Sequence, residues 1–286
     1  MRKKILFVVP LLTISIAVML FLKFGFGGEA RFVVTNTLSR ISSGEINEMK
    51  AVDDVGNTKV LLSEFLEYDN VSIDDSLLLV NEEYALPENY EANTVYLEER
   101  NVNVNECLEE SFTSLSEEIK NRYGETLFIS SAFRTKEDQI RIKNEKGDIA
   151  QKVGCSEHQT GLAVDVFVQY YSGDGFIKSD TGKFVNEKCG DYGFIIRYPV
   201  FAKRKTGISF EPWHLKYVGY PHSKIINESY VSLEDYINYL DYGVYYSYDE
   251  YLIVRQNTNE IYIPESFKSA IASFDNTGAV IITFNI

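Results

Sequence analysis

Only three histidines occur in the 286 residues, His158, His214 and His222, so any chemistry that needs an imidazole is confined to them. The run Ser156-Glu157-His158-Gln159-Thr160-Gly161-Leu162-Ala163-Val164-Asp165 supplies the first, with a carboxylate seven residues on and a serine two before. A neutral imidazole and a carboxylate oxygen are ordinary zinc ligands, and a catalytic zinc takes three protein ligands and keeps one position for water. Glu211-Pro212-Trp213-His214 offers the third. His158, Asp165 and His214 are therefore the candidate metal set. Glu211 is the candidate general base, because a carboxylate beside a metal ligand can take a proton from an attacking water and return it to a leaving amine. Arg134 is a cation that can stabilise a developing oxyanion. His222, after Tyr220-Pro221, reads as a surface residue in a turn. Each residue alone has an ordinary structural reading as a cap, a solvated acid or an ion-pair partner; the case rests on the combination.

Rigid backbone must hold such a set. Thr126 to Phe133 reads as a strand ending at Arg134, Ala163 to Tyr170 as a second carrying Asp165, Phe194 to Tyr198 as a third, and the segment after Trp213 as a fourth carrying His214. Leu108, Phe112, Leu115 and Ile119 recur at helical spacing with Gly124 at the stop, and Lys136 to Lys146, Phe184 to Lys188 and the segment from Ser232 read as further helices. After Leu240 the pattern changes to short strands separated by polar turns, a β-rich appendage over residues 241–286. The expectation is an α+β chain with an antiparallel sheet carrying the ligands and helices packed on it.

The formal charge is −14, and the part of the chain beyond the four basic residues ending at Lys23 carries −18. Such an acidic body argues against nucleic acid as a partner, since phosphate neutralisation needs clustered Lys and Arg. Cys107, Cys155 and Cys189 are too few and too scattered for a metal cluster or a disulfide framework; one bridge is open to them, and three free thiols are the plainer reading. Arg2, Lys3 and Lys4 precede an uncharged run from Ile5 to Leu22. That run is expected to be an uncleaved membrane anchor within residues 1–27, with the body outside the cytoplasm; a cleaved signal peptide is the alternative. Residues 28–70 read as a juxtamembrane spacer and residues 71–240 as the catalytic domain.

The order Ser131-x-x-Arg134-x-x-x-x-Gln139, Ser156-x-His158-x-x-Gly161-x-Ala163-x-Asp165, Glu211-x-x-His214 resembles the zinc D-alanyl-D-alanine carboxypeptidases of the VanY type. So do the Asn81 to Tyr90 wrap, the Gly193 to Pro199 segment and Leu233-Glu234-Asp235-Tyr236, so that the resemblance covers roughly Leu77 to Leu240. It implies a hedgehog/D,D-peptidase-like fold, one zinc on His158, Asp165 and His214, Glu211 as base and Arg134 at the tetrahedral intermediate. It also implies that Ser156 and Gln139 hold the substrate, a peptidoglycan precursor peptide ending in D-Ala-D-Ala, and that the enzyme can contribute to vancomycin resistance. Three rivals stand beside it. Lys205-Thr206-Gly207 spells a motif of serine D,D-peptidases, but the chain has no Ser-x-x-Lys. A zinc endopeptidase would share the metal motif. A non-catalytic wall-binding protein would not need Glu211.

Overall fold

The computed structural model describes residues 46, 49–53, 55, 57–147 and 150–286. The anchor expected within residues 1–27 lies outside them, and among the described residues no helix is long and apolar enough to cross a membrane.

Alternation of apolar and polar residues decides how the chain is layered. Near its start it forms β1 (Lys50–Val52), β2 (Asn57–Leu61) and β3 (Val71–Asp74), then a hairpin of β4 (Thr94–Leu97) and β5 (Val102–Asn105). Helix α1 (Glu109–Tyr123) turns Phe112, Leu115 and Ile119 inward and stops at Gly124 in the left-handed region, as its spacing predicts. Next come β6 (Phe128–Ser131), α2 (Lys136–Lys146), β7 (Ala163–Phe167), α3 (Asp180–Lys188), β8 (Phe194–Ile196) and β9 (His214–Tyr217). Strands β6, β7, β9 and β8, in that order, make the antiparallel sheet expected to carry the site. One face of it, with Val164, Val166 and Leu215, packs against Leu108, Phe112, Leu115 and Ile119. Each such side chain, fully buried, contributes about 1.5–3 kcal/mol. Period-two geometry then turns Asp165, His214 and Lys216 to the opposite face.

Helices α4 (His222–Ser229) and α5 (Leu233–Tyr239) lead into β10 (Tyr245–Tyr248), β11 (Tyr251–Asn257), β12 (Glu260–Pro264), β13 (Ser269–Phe274) and β14 (Ala279–Asn285). These last five strands recruit β1 and β2 from the stretch read as a spacer and β3 from the first residues of the stretch read as the catalytic domain. β1 pairs with β10, β2 pairs with β12, and β3 lies parallel to β13, so the second sheet runs β1-β10-β11-β14-β13-β3. This sheet packs on α4 and α5 through Tyr246, Ile253 and Ile281 against Ile225, Tyr236 and Ile237.

His222 is not a surface residue. It opens α4 and is buried, one ring nitrogen 2.5 Å from the Tyr236 hydroxyl and the other 2.8 Å from Thr283 Oγ1 on β14. The Tyr-Pro signal for a turn is sound, but the turn delivers the imidazole beneath the tail sheet. Burial holds its pKa down at about 3, against an ordinary 6.5. Between those values the unfolded chain binds a proton that the folded one refuses, so this group's stabilisation is complete above pH 6.5 and is lost as pH falls towards 3. The expected cost between pH 7 and pH 5 is about 2 kcal/mol. Urea unfolding at the two pH values checks it, since His222→Gln should flatten the difference; an unchanged difference would place the acid sensitivity elsewhere.

Candidate active site

The register of β7 and β9 builds the centre of the site. Asp165 and His214 are directly paired, so the carboxylate and imidazole leave the sheet side by side, with His214 Nδ1 2.9 Å from Asp165 Oδ1. His158 arrives from a single 3₁₀ turn, Glu157–Thr160, that leads into β7. The turn closes at Gly161 with φ +71°, and a Cβ there would lie 2.7 Å from the Asn105 backbone nitrogen, which is why glycine occupies the position. Asn105 fixes the turn further by donating its backbone N–H to the Gly161 carbonyl and its side-chain amide to the Thr160 carbonyl.

His158 Nδ1 lies 2.9 Å from the Ala132 carbonyl, which can only accept, so the proton sits on Nδ1 and the lone pair on Nε2 points at Asp165 Oδ2, 3.3 Å away. The two rings stand edge to face, 5.0 Å apart. One donor atom from each of His158, Asp165 and His214 lies within 4.8 Å of the others. Two imidazoles and one carboxylate, converging on a point with the second nitrogen of each ring already facing an acceptor, fit a zinc site. Burial favours neutral His158. Burial also opposes charge on His214, but Asp165 and Glu157 at its two nitrogens outweigh it and push it up to about 9. Burial would raise the Asp165 carboxyl, yet the two histidines hold it well below the usual carboxylate range.

Glu211 Oε2 lies 3.8 Å from His214 Nδ1, and burial raises its carboxyl above the ordinary value. On the other flank Arg134 Nη2 lies 3.8 Å from Asp165 Oδ2. Ser131 Oγ accepts from Arg134 Nε at 3.2 Å and Nη2 at 2.7 Å, and the Gln139 carbonyl lies 3.5 Å from Nη1. Gln139 is buried on α2, its amide donating to the Gln151 carbonyl, so it braces Arg134. Ser156 is buried at the start of the 3₁₀ turn without capping it. Beside Arg134 opens a cavity of about 500 Å³ whose wall includes Leu86, Pro87 and Tyr90, the wrap seen in the sequence. All seven residues singled out in the sequence thus come from one region. Trp213 is half-buried against the core. Lys205-Thr206-Gly207 is the exposed end of a four-residue helical turn, which accounts for its glycine. All three cysteines are free.

Glu157 carries no role in the sequence reading. Its side chain is fully buried, with Oε2 3.5 Å from His214 Nε2 and Oε1 2.7 Å from Arg197 Nε. A glutamate beside a candidate ligand histidine in a polar turn resembles any solvated acid. The signal lay elsewhere, in Arg197 and Lys216, charges placed within or at the end of otherwise apolar strands.

Residues 101–220, which contain every one of these side chains except those of the wrap, match the family model described as VanY, D-alanyl-D-alanine carboxypeptidase. A D-alanyl-D-alanine carboxypeptidase of Enterococcus faecium is 30% identical over 235 residues, covering 73% of this chain and 75% of the relative. The chain belongs to the VanY family. Among solved structures it is similar to the vancomycin resistance D,D-dipeptidase VanXYg in complex with a D-Ala-D-Ala phosphinate analog, with TM-score 0.65, 27% identity and coverage of 82% of this chain and 98% of that one. It is also similar to a mutant of the D,D-pentapeptidase VanY from a VanB-type resistance cassette in complex with Zn(II), with TM-score 0.50 and 28% identity over 57% of this chain and 99% of that one. The mixed α+β fold is one that the chain has in common with these VanY-family relatives.

Proposed function

We propose that the chain is a zinc-dependent D,D-carboxypeptidase that removes the terminal D-alanine from peptidoglycan precursor peptides and so contributes to wall remodelling or glycopeptide resistance. The observation that carries this reading is the convergence of His158, Asp165 and His214 with Glu211 3.8 Å from one ligand nitrogen and Arg134 3.8 Å from another ligand's oxygen. Zinc, when bound to those three donors, would supply Lewis acidity for the scissile carbonyl and for water. Glu211 takes the proton of the attacking water and hands it to the departing amine. Arg134, its guanidinium fixed by Ser131 and Gln139, faces the negative charge that develops on the carbonyl oxygen. Ser156 holds the terminal D-alanine, and the cavity beside Arg134 has room for the rest of the peptide. The domain acts outside the cytoplasm, tethered by the apolar run Ile5 to Leu22.

The test is a pentapeptide ending in D-Ala-D-Ala, followed by mass spectrometry. Loss of a single alanine supports the reading; cleavage only within cross-linked peptides would favour the endopeptidase. Arg134→Ala is expected to lower kcat/KM about 10²- to 10³-fold at unchanged zinc content. Arg134→Lys should recover little, because an ammonium cannot reproduce the planar fork that Ser131 and Gln139 hold. Steady-state kinetics beside metal analysis decides it, and near-normal turnover of the alanine variant would remove Arg134 from the reaction.

A further inference from the structure

Behind His214, on the side away from Asp165, four charged side chains are buried together. Glu157 and Glu234 are the acids, Arg197 and Lys216 the bases. Arg197 spends Nε on Glu157 Oε1 at 2.7 Å and its two terminal nitrogens on Glu234, at 3.0 and 2.6 Å. Lys216, two residues after His214 on the same strand, lies 3.6 Å from Glu157 Oε1. Asn81 in the wrap reaches Glu234 Oε1 at 3.4 Å. Burying ion pairs costs several kcal/mol of desolvation per ion, and well-packed apolar residues could hold the same elements together as well or better. Packing alone is therefore a poor reason for this cluster.

Its orientation supplies a better one. Glu157 Oε2 and His214 Nε2 lie 3.5 Å apart, and each is buried without a hydrogen-bond partner among the described residues. An imidazole that binds metal through one nitrogen carries a proton on the other, and the acceptor for that proton sets both the tautomer and the ring's orientation. For His158 the acceptor is the Ala132 carbonyl. We infer that Glu157 is the matching positioning residue for His214: its carboxylate faces Nε2–H as the acceptor and, when metal is bound, leaves Nδ1 free to act as the donor on the side of Asp165 and His158, while Arg197, clamped by Glu234, fixes the carboxylate in turn. The two segments that lacked a chemical role in the sequence, Gly193 to Pro199 and Leu233 to Tyr236, thereby acquire one, since each delivers a member of the clamp.

This inference rests on the metal reading above, and the experiment separates the two. Zinc affinity of the full chain is measured by competition with a chromogenic chelator, alongside metal-free thermal melts and the visible spectrum of the cobalt-substituted protein. Wild type should bind one zinc, and Glu157→Gln should bind it about 10- to 100-fold more weakly with an altered cobalt spectrum. Glu234→Gln, which loosens only the outer clamp, should fall between. A merely structural role predicts lower melting temperatures with affinity and spectrum unchanged, and that result would overturn the inference whatever the loss of stability. In case the Glu157 variants do not fold, nitrogen NMR of zinc-loaded wild type reports the tautomer directly: the proton belongs on His214 Nε2, and finding it on Nδ1 refutes the assignment. Wild type that takes up no zinc refutes the metal reading itself.

Discussion

D-Alanine release is expected to fall to background when a strong chelator strips the protein, to return on adding zinc, and to be indifferent to saturating penicillin. The first half follows from the donor set. Nothing else in the cluster can activate water as a divalent cation does, because Glu211 alone faces a nucleophile whose pKa is far above its own. The second half follows from the absence of a serine nucleophile: no serine is followed by lysine at the third position, and the Lys-Thr-Gly sequence is spent on ending a short exposed turn. Recovery on zinc addition is expected because the backbone that aims the donors does not depend on the metal: the β7–β9 register that pairs Asp165 with His214 belongs to a core beneath the sheet, and the Glu157–Thr160 turn that carries His158 is held by Asn105. The chelated protein should therefore stay folded but melt earlier. Binding at about a thousand times the dissociation constant contributes about 4 kcal/mol to the loaded form. Release that persists in chelator, or that penicillin blocks, would sink the zinc reading.

What could be read from the chain follows how local each feature is. His158 and Asp165 are legible as candidates because the elements that carry them announce themselves within a few residues, through a glycine that must end a turn and the alternation Ala-Val-Asp-Val-Phe. Helix α1 was legible for the same reason. Contacts between distant segments were not. Lys50–Val52 and Asn57–Leu61 look like polar spacer because each buries little by itself, and only pairing with strands some 200 residues later gives their backbone groups partners. The surface reading of His222 fails on the same account, since one of the two hydroxyls that meet its ring comes from Thr283 on the last strand. Glu157 failed for a subtler reason. Its neighbours in sequence are polar, while its counter-charges, Arg197 and Lys216, stand in separate strands. A lysine between Leu215 and Tyr217, and an arginine after three apolar residues, are the clues that a buried acid must exist to meet them.

Glu211→Gln is expected to lower kcat about 10²- to 10⁴-fold while leaving zinc content and the fold unchanged. Glutamine keeps the shape and polarity of the side chain but accepts no proton, so only the transfer step is removed. The backbone that aims the residue is independent of the carboxylate. Glu211 N–H donates to the Tyr198 carbonyl at 3.0 Å, and the Glu211 carbonyl accepts from His214 N–H at 3.2 Å. The side chain is 29% exposed, open enough to meet substrate and enclosed enough that burial raises its carboxyl, which favours both halves of a proton shuttle. A base must start unprotonated, so wild-type activity should decline as pH falls through that raised value. KM should move little, because Glu211 acts on charge that develops after binding. Glu211→Asp tests reach: it keeps the charge but withdraws it by about 1.5 Å, roughly one carbon–carbon bond, and should fall between wild type and the glutamine variant. A glutamine variant with full turnover would make Glu211 dispensable and refute its assignment as the base.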